Sequence, residues 1–190
     1  TGDWQQGVNL ALSTWGELGT AIAGVDLQVQ GEQYLWSHRP AVFIFNHQSG
    51  VDPLLICKLL RRDFVGISKQ EVRGIPVLGQ LFQLAGTIFI DRFNPDIKTL
   101  RRVIKLMEED NILVIAPEGT RSYHGGLLRA QPGVVMIALR MSVPILPIAH
   151  WGGEKFKDNL RKFNRTDFNI RVGQPFHLDT KGEKVTSALR

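Results

Sequence analysis

Cysteine is almost missing from this sequence: Cys57 is the only one in 190 residues. A single thiol forms no internal disulfide and no cysteine-based zinc site, so a disulfide-stapled secreted domain is excluded and a reducing compartment is favoured. Long apolar runs are missing too. No stretch approaches the roughly 18 residues of a membrane-crossing helix. There is no internal repeat and no low-complexity tract, and a balance of 43% hydrophobic and 22% charged residues excludes a disordered or collagenous chain. No Gly-x-Ser-x-Gly is present, so a serine nucleophile elbow is absent. Gly74-Ile75-Pro76-Val77-Leu78-Gly79 has the spacing of a phosphate-binding loop but runs into Gln80-Leu81 instead of Lys-Ser/Thr, which rejects nucleotide hydrolysis. His38, His124, His150 and His177 show no metal-ligand spacing, and no metal is expected.

What is present fits one α/β domain with a substantial core. The net charge of +5 favours an anionic partner, whether a phosphorylated metabolite, an acidic lipid headgroup or nucleic acid. The chain opens at Thr1 and reads as a piece of a longer protein, which leaves room for a targeting or anchoring segment upstream. Residues 1–25 stand apart. Trp4, Val8, Leu12, Trp15, Leu18, Ile22 and Val25 recur at steps of three and four, with only Asp3 and Glu17 charged before Val25. This predicts an amphipathic helical segment that either packs on the domain or lies at a membrane interface, where tryptophan is favoured. Residues 26–190 form the second unit.

From residue 40 onward, short β-branched and aromatic runs alternate with helical patterns. Strands are predicted at 41–45, 64–67, 87–90, 112–115, 145–149 and 168–172, and helices at 53–60, 77–84, 96–109 and 133–140. The fold expected is α/β, a mixed and largely parallel sheet flanked by helices. Ligand sites in such sheets lie beyond the carboxyl ends of the strands. Here those ends deliver Asn46-His47, Ser68-Lys69, Asp91-Arg92 and Glu118-Gly119-Thr120-Arg121.

His47 and Asp52 are five residues apart, and on a continuous helix their side chains would diverge. They meet only if Gly50 lets the segment turn before a helix opens at Asp52-Pro53, with Asp52 capping it and Pro53 in its first position. The aspartate then fixes one imidazole nitrogen and leaves the other as a base; the alternative is a structural histidine. Asp91-Arg92 is either a surface ion pair or an arginine fork for a phosphate. Pro117-Glu118-Gly119-Thr120-Arg121 is either an ordinary turn or a site whose backbone amides meet an anion. Val143-Pro144-Ile145-Leu146-Pro147 reads as an edge or irregular strand, because each proline removes a ladder donor. Cys57, among leucines, reads as core.

In this order the segments resemble the glycerolipid acyltransferase family that includes the 1-acyl-glycerol-3-phosphate (lysophosphatidate) acyltransferases. The resemblance rests on Asn46-His47-(x4)-Asp52, Gly86-Thr87-Ile88-Phe89-Ile90-Asp91-Arg92, Pro117-Glu118-Gly119-Thr120-Arg121-Ser122 and Val143-Pro144-(x2)-Pro147, with Lys69, Glu71, Pro76 and Gly79 between the first two. It implies transfer of a fatty acyl group from acyl-CoA or acyl carrier protein to the free hydroxyl of 1-acyl-glycerol-3-phosphate, giving phosphatidate, with no cofactor beyond the acyl donor. Glycerol-3-phosphate or another lysolipid is the alternative acceptor. His47 would be the general base and Asp52 its orienter. Lys69, Arg92, Glu118, Gly119, Thr120 and Arg121 would hold the acceptor. The resemblance also implies a membrane-associated protein, at the cytoplasmic face, with residues 1–25 as part of a docking helical pair. Two departures stand out: Ala116 where the family commonly has an aromatic residue, and Leu128-Arg129-Ala130-Gln131-Pro132-Gly133 where many members carry more basic residues.

The rival class is a non-catalytic binder. Lys155, Lys157, Arg161, Lys162 and Arg165 interleave with Trp151, Phe156 and Phe163, a composition that suits single-stranded nucleic acid, an anionic membrane surface or plain solvent. A pure binder has no need of His47 poised by Asp52, so anionic lipid is the expected partner and nucleic acid is not.

Overall fold

Strands whose side chains alternate between two apolar faces need a helical layer on each, and this chain supplies both. The computed structural model describes residues 2–91, 97–122 and 126–179. In chain order the elements are α1 (Gly2–Ile22), β1 (Val25–Gln30), β2 (Ala41–Phe45), α2 (Asp52–Leu60), β3 (Phe64–Lys69), α3 (Leu78–Leu84), β4 (Ile88–Ile90), α4 (Ile97–Glu108), β5 (Ile112–Ile115), α5 (Gly133–Met141), β6 (Ile145–Trp151), α6 (Phe156–Arg161) and β7 (Thr166–Val172). The seven strands form one sheet in the order β1-β7-β6-β2-β5-β3-β4. β6, β2, β5, β3 and β4 run parallel; β7 lies antiparallel to β6, and β1 parallel to β7. The expected mixed, largely parallel sheet is therefore the observed one.

Alternation along β2 divides the core. Ala41 and Phe43 pack with Val8 and Leu12 of α1 and Ile56, Leu59 and Leu60 of α2 on one face. Val42 packs with Val103 and Met107 of α4 and Val134 and Ile137 of α5 on the other. Parallel strands buried on both faces explain why 41–45 and 112–115 read as unbroken apolar runs.

Helix α1 splits its apolar stripe. Val8 and Leu12 are buried, and Trp15 sets its ring edge-on to Phe82 with centroids 6.4 Å apart. Trp4, Leu10, Leu18 and Ile22 face outward, Ile22 at 84% exposure. Contact with α2 is close at Gly16, where an added Cβ would stand 2.4 Å from the Lys58 backbone nitrogen. Only glycine fits there.

Two expectations are corrected. The helical stripe does not reach Val25: the helix stops at Ile22 and Val25 opens β1, whose Val-Asp-Leu-Gln-Val-Gln alternation was left unread. β6 is not an edge or irregular strand but sits between β2 and β7. It tolerates Pro147 because β7 ends at Val172, leaving Pro147 to accept from Gly173 N–H at 2.8 Å, and the chain returns only at the Ile145–Phe176 bridge. The missing donor falls in that gap. The basic stretch after Trp151 holds the short helix α6, whose Phe156 packs edge-on to Phe168 at 5.9 Å.

Candidate active site

Five parallel strands deliver their carboxyl ends to one edge of the sheet. His47 follows β2, Glu118 to Arg121 follow β5, Lys69 ends β3, Asp91 follows β4, and His150 lies at the end of β6. Arg92 lies outside the described residues.

The segment from Asn46 to Val51 turns back on itself, and the Asp52 carboxylate is the hub of that turn. His47 Nδ1 lies 2.6 Å from Asp52 Oδ2, and the same oxygen accepts from the backbone amides of Gln48 at 2.9 Å and Ser49 at 3.0 Å. Asp52 thus turns inward instead of capping the helix as expected. Val51 is the N-cap, Asp52 opens the helix and Pro53 follows it. Asp52 is buried. Burial pushes its carboxyl up, but His150, His47 and the Ser49 amide outweigh that and hold it well below the usual carboxylate range. An ionised carboxylate only accepts, so His47 carries its proton on Nδ1 and leaves Nε2 as a free acceptor. His47 is about a quarter exposed, so that nitrogen can meet a substrate.

Backbone bonds also fix His47 in place. His47 N–H donates to Glu118 Oε1 at 3.0 Å, and the His47 carbonyl accepts from Ser122 N–H at 2.8 Å. Glu118 is buried, and its other oxygen accepts from Leu128 N–H at 2.8 Å. Both Glu118 oxygens thus serve the protein's own backbone, tying the β5 turn to His47. Its sequence reading was as a direct acceptor contact.

Gly119, at φ +67, makes the turn that lets the chain double back, and its amide donates to Ala116 O at 3.0 Å. The Gly119 and Ser122 amides are therefore already engaged. Thr120 and Arg121 are exposed at the rim. An added Cβ on Gly50 would stand 3.8 Å from Arg121 Nη1, which places that guanidinium over the His47–Asp52 loop. Lys69 is exposed two strands from β2, a separation of about 10 Å at ordinary strand spacing.

Sequence reasoning missed two residues. Asn46 clasps the β6 backbone reciprocally: its Nδ2 donates to His150 O and its Oδ1 accepts from His150 N, both at 2.8 Å. His150 is buried with Nε2 3.6 Å from Asp52 Oδ2. The signal was available, since a histidine closing an apolar strand sits where His47 sits. Cys57 is buried, and burial pushes its thiol up to about 12, which leaves no thiolate nucleophile at neutral pH. Among the described residues no cluster of three or more His, Cys, Asp or Glu is arranged to hold a metal ion.

The Acyltransferase family model matches residues 26–151, two thirds of the chain. The chain belongs to the acyltransferase family. Among similar acyltransferases, the 1-acyl-sn-glycerol-3-phosphate acyltransferase of Limnanthes douglasii is 38% identical over 130 residues, covering 67% of this chain and 46% of that protein. The 1-acyl-sn-glycerol-3-phosphate acyltransferase alpha of Homo sapiens is 31% identical over 158 residues, covering 81% and 56%. The chain spans about half the length of the curated relatives it matches. The crystal structure of the 1-acyl-sn-glycerophosphate (LPA) acyltransferase PlsC from Thermotoga maritima shares the fold, with TM-score 0.73 at 24% identity over 97% of this chain and 75% of that one.

Proposed function

We propose that this protein is an O-acyltransferase that moves a fatty acyl group from acyl-CoA or acyl carrier protein to the free hydroxyl of 1-acyl-glycerol-3-phosphate, giving phosphatidate. The observation that carries the reading is the His47–Asp52 pair, with Nδ1 held at 2.6 Å and Nε2 left open at the rim. His47 Nε2 takes the hydroxyl proton as the acceptor oxygen attacks the thioester carbonyl. The C–S bond then breaks and the imidazolium returns the proton to the departing thiolate. Asp52 holds the tautomer and stabilises the imidazolium. The acceptor is itself the nucleophile, so no covalent acyl-enzyme and no cofactor beyond the donor are needed. Arg121, over the His47 loop, supports an acceptor-phosphate contact, with Thr120 beside it and Lys69 and Arg92 as further contacts. Gly119 and Glu118 shape the turn that presents these side chains. The acceptor assignment draws its support from what the relatives' names say of those proteins.

Thiol release from oleoyl-CoA, followed with 1-oleoyl-glycerol-3-phosphate, with glycerol-3-phosphate and with no acceptor, tests this reading. Release is expected only with the lysolipid. Release without acceptor would make the protein a thioesterase, and release with glycerol-3-phosphate alone would change the acceptor.

The partner surface is an anionic membrane. No helix among the described residues is long and apolar enough to cross one; the contact proposed for this part of the protein is peripheral, at the cytoplasmic face. Topology supports the contact. β1 and β7 run against the other five strands, so they present their starts, Val25 and Thr166, at the catalytic edge. The chain leading into them carries Ile22 at the end of α1, 84% exposed, and Phe163 in the turn after α6, 97% exposed, with Arg161 and Lys162 alongside. Apolar tips flanked by cations suit anionic lipid. Phe163→Asp and Ile22→Asp are each expected to weaken co-sedimentation with phosphatidylglycerol vesicles about tenfold; unchanged binding by both, or equal binding to an oligonucleotide, would count against a lipid surface.

A further inference from the structure

Asp52 is more than the partner of His47. Its Oδ2 collects donors from within its own turn, while Oδ1 is buried with no hydrogen-bond partner among the described residues. His150 approaches from β6, a strand unrelated to that turn. It is 4% exposed, both of its ring nitrogens are buried without a hydrogen-bond partner, and Nε2 stands 3.6 Å from Asp52 Oδ2. That separation is longer than a formed hydrogen bond. A buried imidazole with no partner is nonetheless costly to leave so, and the acceptor beside it is the Asp52 carboxylate, whose Oδ1 also lacks one. Neither side is free to drift away. The backbone of His150 is clasped at both its N–H and its carbonyl by Asn46, the residue before His47. The Phe45 ring covers both imidazoles, 5.9 Å from His47 and 6.5 Å from His150.

We infer that His150 is a positioning residue for the acyl transfer: its Nε2–H donates to the Asp52 carboxylate, so that one carboxylate is shared by two imidazoles. This rests on the acyltransferase reading above. The facing titratable groups are Asp52 from α2, His47 from the end of β2 and, through the His47 backbone, Glu118 from the β5 turn. Two consequences follow from sharing one negative charge. The carboxylate cannot swing away from His47 Nδ1, and part of its charge is drawn off, so the His47 imidazolium is not over-stabilised and the base is easily regenerated.

The test compares His150→Phe, which keeps an aromatic ring and loses the donor, with His150→Gln, which keeps an N–H donor that does not titrate. His150→Phe is expected to lower kcat about tenfold, in line with losing a hydrogen bond to a charged group, with acceptor KM within twofold. It should also move the acid limb of the kcat/KM profile to higher pH, because all of the Asp52 charge then falls on His47. His150→Gln is expected to recover most of kcat and to keep the limb near its wild-type position. Nitrogen-15 NMR of the wild-type imidazoles gives a readout that needs no turnover, and the neutral Nε2–H tautomer is expected for His150. A kcat within twofold in His150→Phe would overturn the proposal. So would a loss shared equally by His150→Gln, a pH-independent loss with the limb unmoved, or an Nδ1–H tautomer. Absence of any transfer by wild type would instead remove the acyltransferase reading, with the tautomer still deciding the Asp52–His150 contact.

Discussion

Replacing His47 with alanine is expected to lower the rate of acyl transfer about 10²- to 10⁴-fold, the range that a positioned general base contributes, and to leave the fold intact. The loss should fall on kcat. His47 Nε2 would meet the acceptor hydroxyl as its proton moves, whereas binding the acceptor phosphate would fall to other side chains, Arg121 above all. The fold should survive because the ties that anchor this position to the β5 turn are backbone ones, His47 N–H to Glu118 and Ser122 N–H to the His47 carbonyl, and alanine keeps both. Steady-state thiol release with lysophosphatidate measures the loss, and the thermal midpoint checks the fold. Near-normal turnover in a folded His47→Ala protein would remove general-base catalysis at this site.

Asp52→Asn has the second large expected effect, also about 10²- to 10⁴-fold in kcat, for a different reason. An asparagine amide can present its N–H₂ to His47 Nδ1, which selects the wrong imidazole tautomer and turns the base nitrogen into a donor. Unlike His47→Ala, this variant should lose stability at neutral pH, since the Gln48 and Ser49 amides and His47 all rely on the charged oxygen. The pH dependence has a definite sign. The Asp52 carboxyl is held below its unfolded value, near 3.9, by its donors despite burial. The stability it contributes is complete above about pH 4 and is lost as pH falls through the folded value. The gap in thermal midpoint between wild type and Asp52→Asn should therefore be widest near neutrality and narrow below about pH 4. A gap independent of pH would show that the charge at Asp52 contributes nothing to folding.

The rim was legible in the sequence because parallel topology converts strand ends into neighbours. Once 41–45, 64–67 and 112–115 are read as parallel strands, His47, Lys69 and Glu118 to Arg121 must share an edge, and they do. The internal wiring was not legible. Glu118 in a Pro-Glu-Gly turn looks like a ligand contact, and nothing in its spacing says that two backbone amides, 71 residues before it and 10 after, will use its oxygens. His150 was weighed only for metal-ligand spacing, and its pairing with Asp52 depends on β6 lying beside β2, a strand order that periodicity does not give. Pro147 misled for a related reason. A proline excludes a central strand only where a neighbour needs its missing N–H, and β7 leaves the sheet at that point. Val25 shows the opposite error, where an apolar stripe at helical spacing ran on into a strand.

The turn closed by Asp52 is also a statement about chain entropy. His47 and Asp52 are separated by 5 positions, and the Asn46–His150 clasp by 104. Closing the longer loop costs about 3 kcal/mol more by the logarithmic length law. The His47–Asp52 pair is thus a local object that forms as soon as six residues curl around one oxygen, while its outer support exists only when β2 and β6 have paired. Loss of the β2–β6 pairing would release His150 while leaving His47 paired with Asp52 in its own turn.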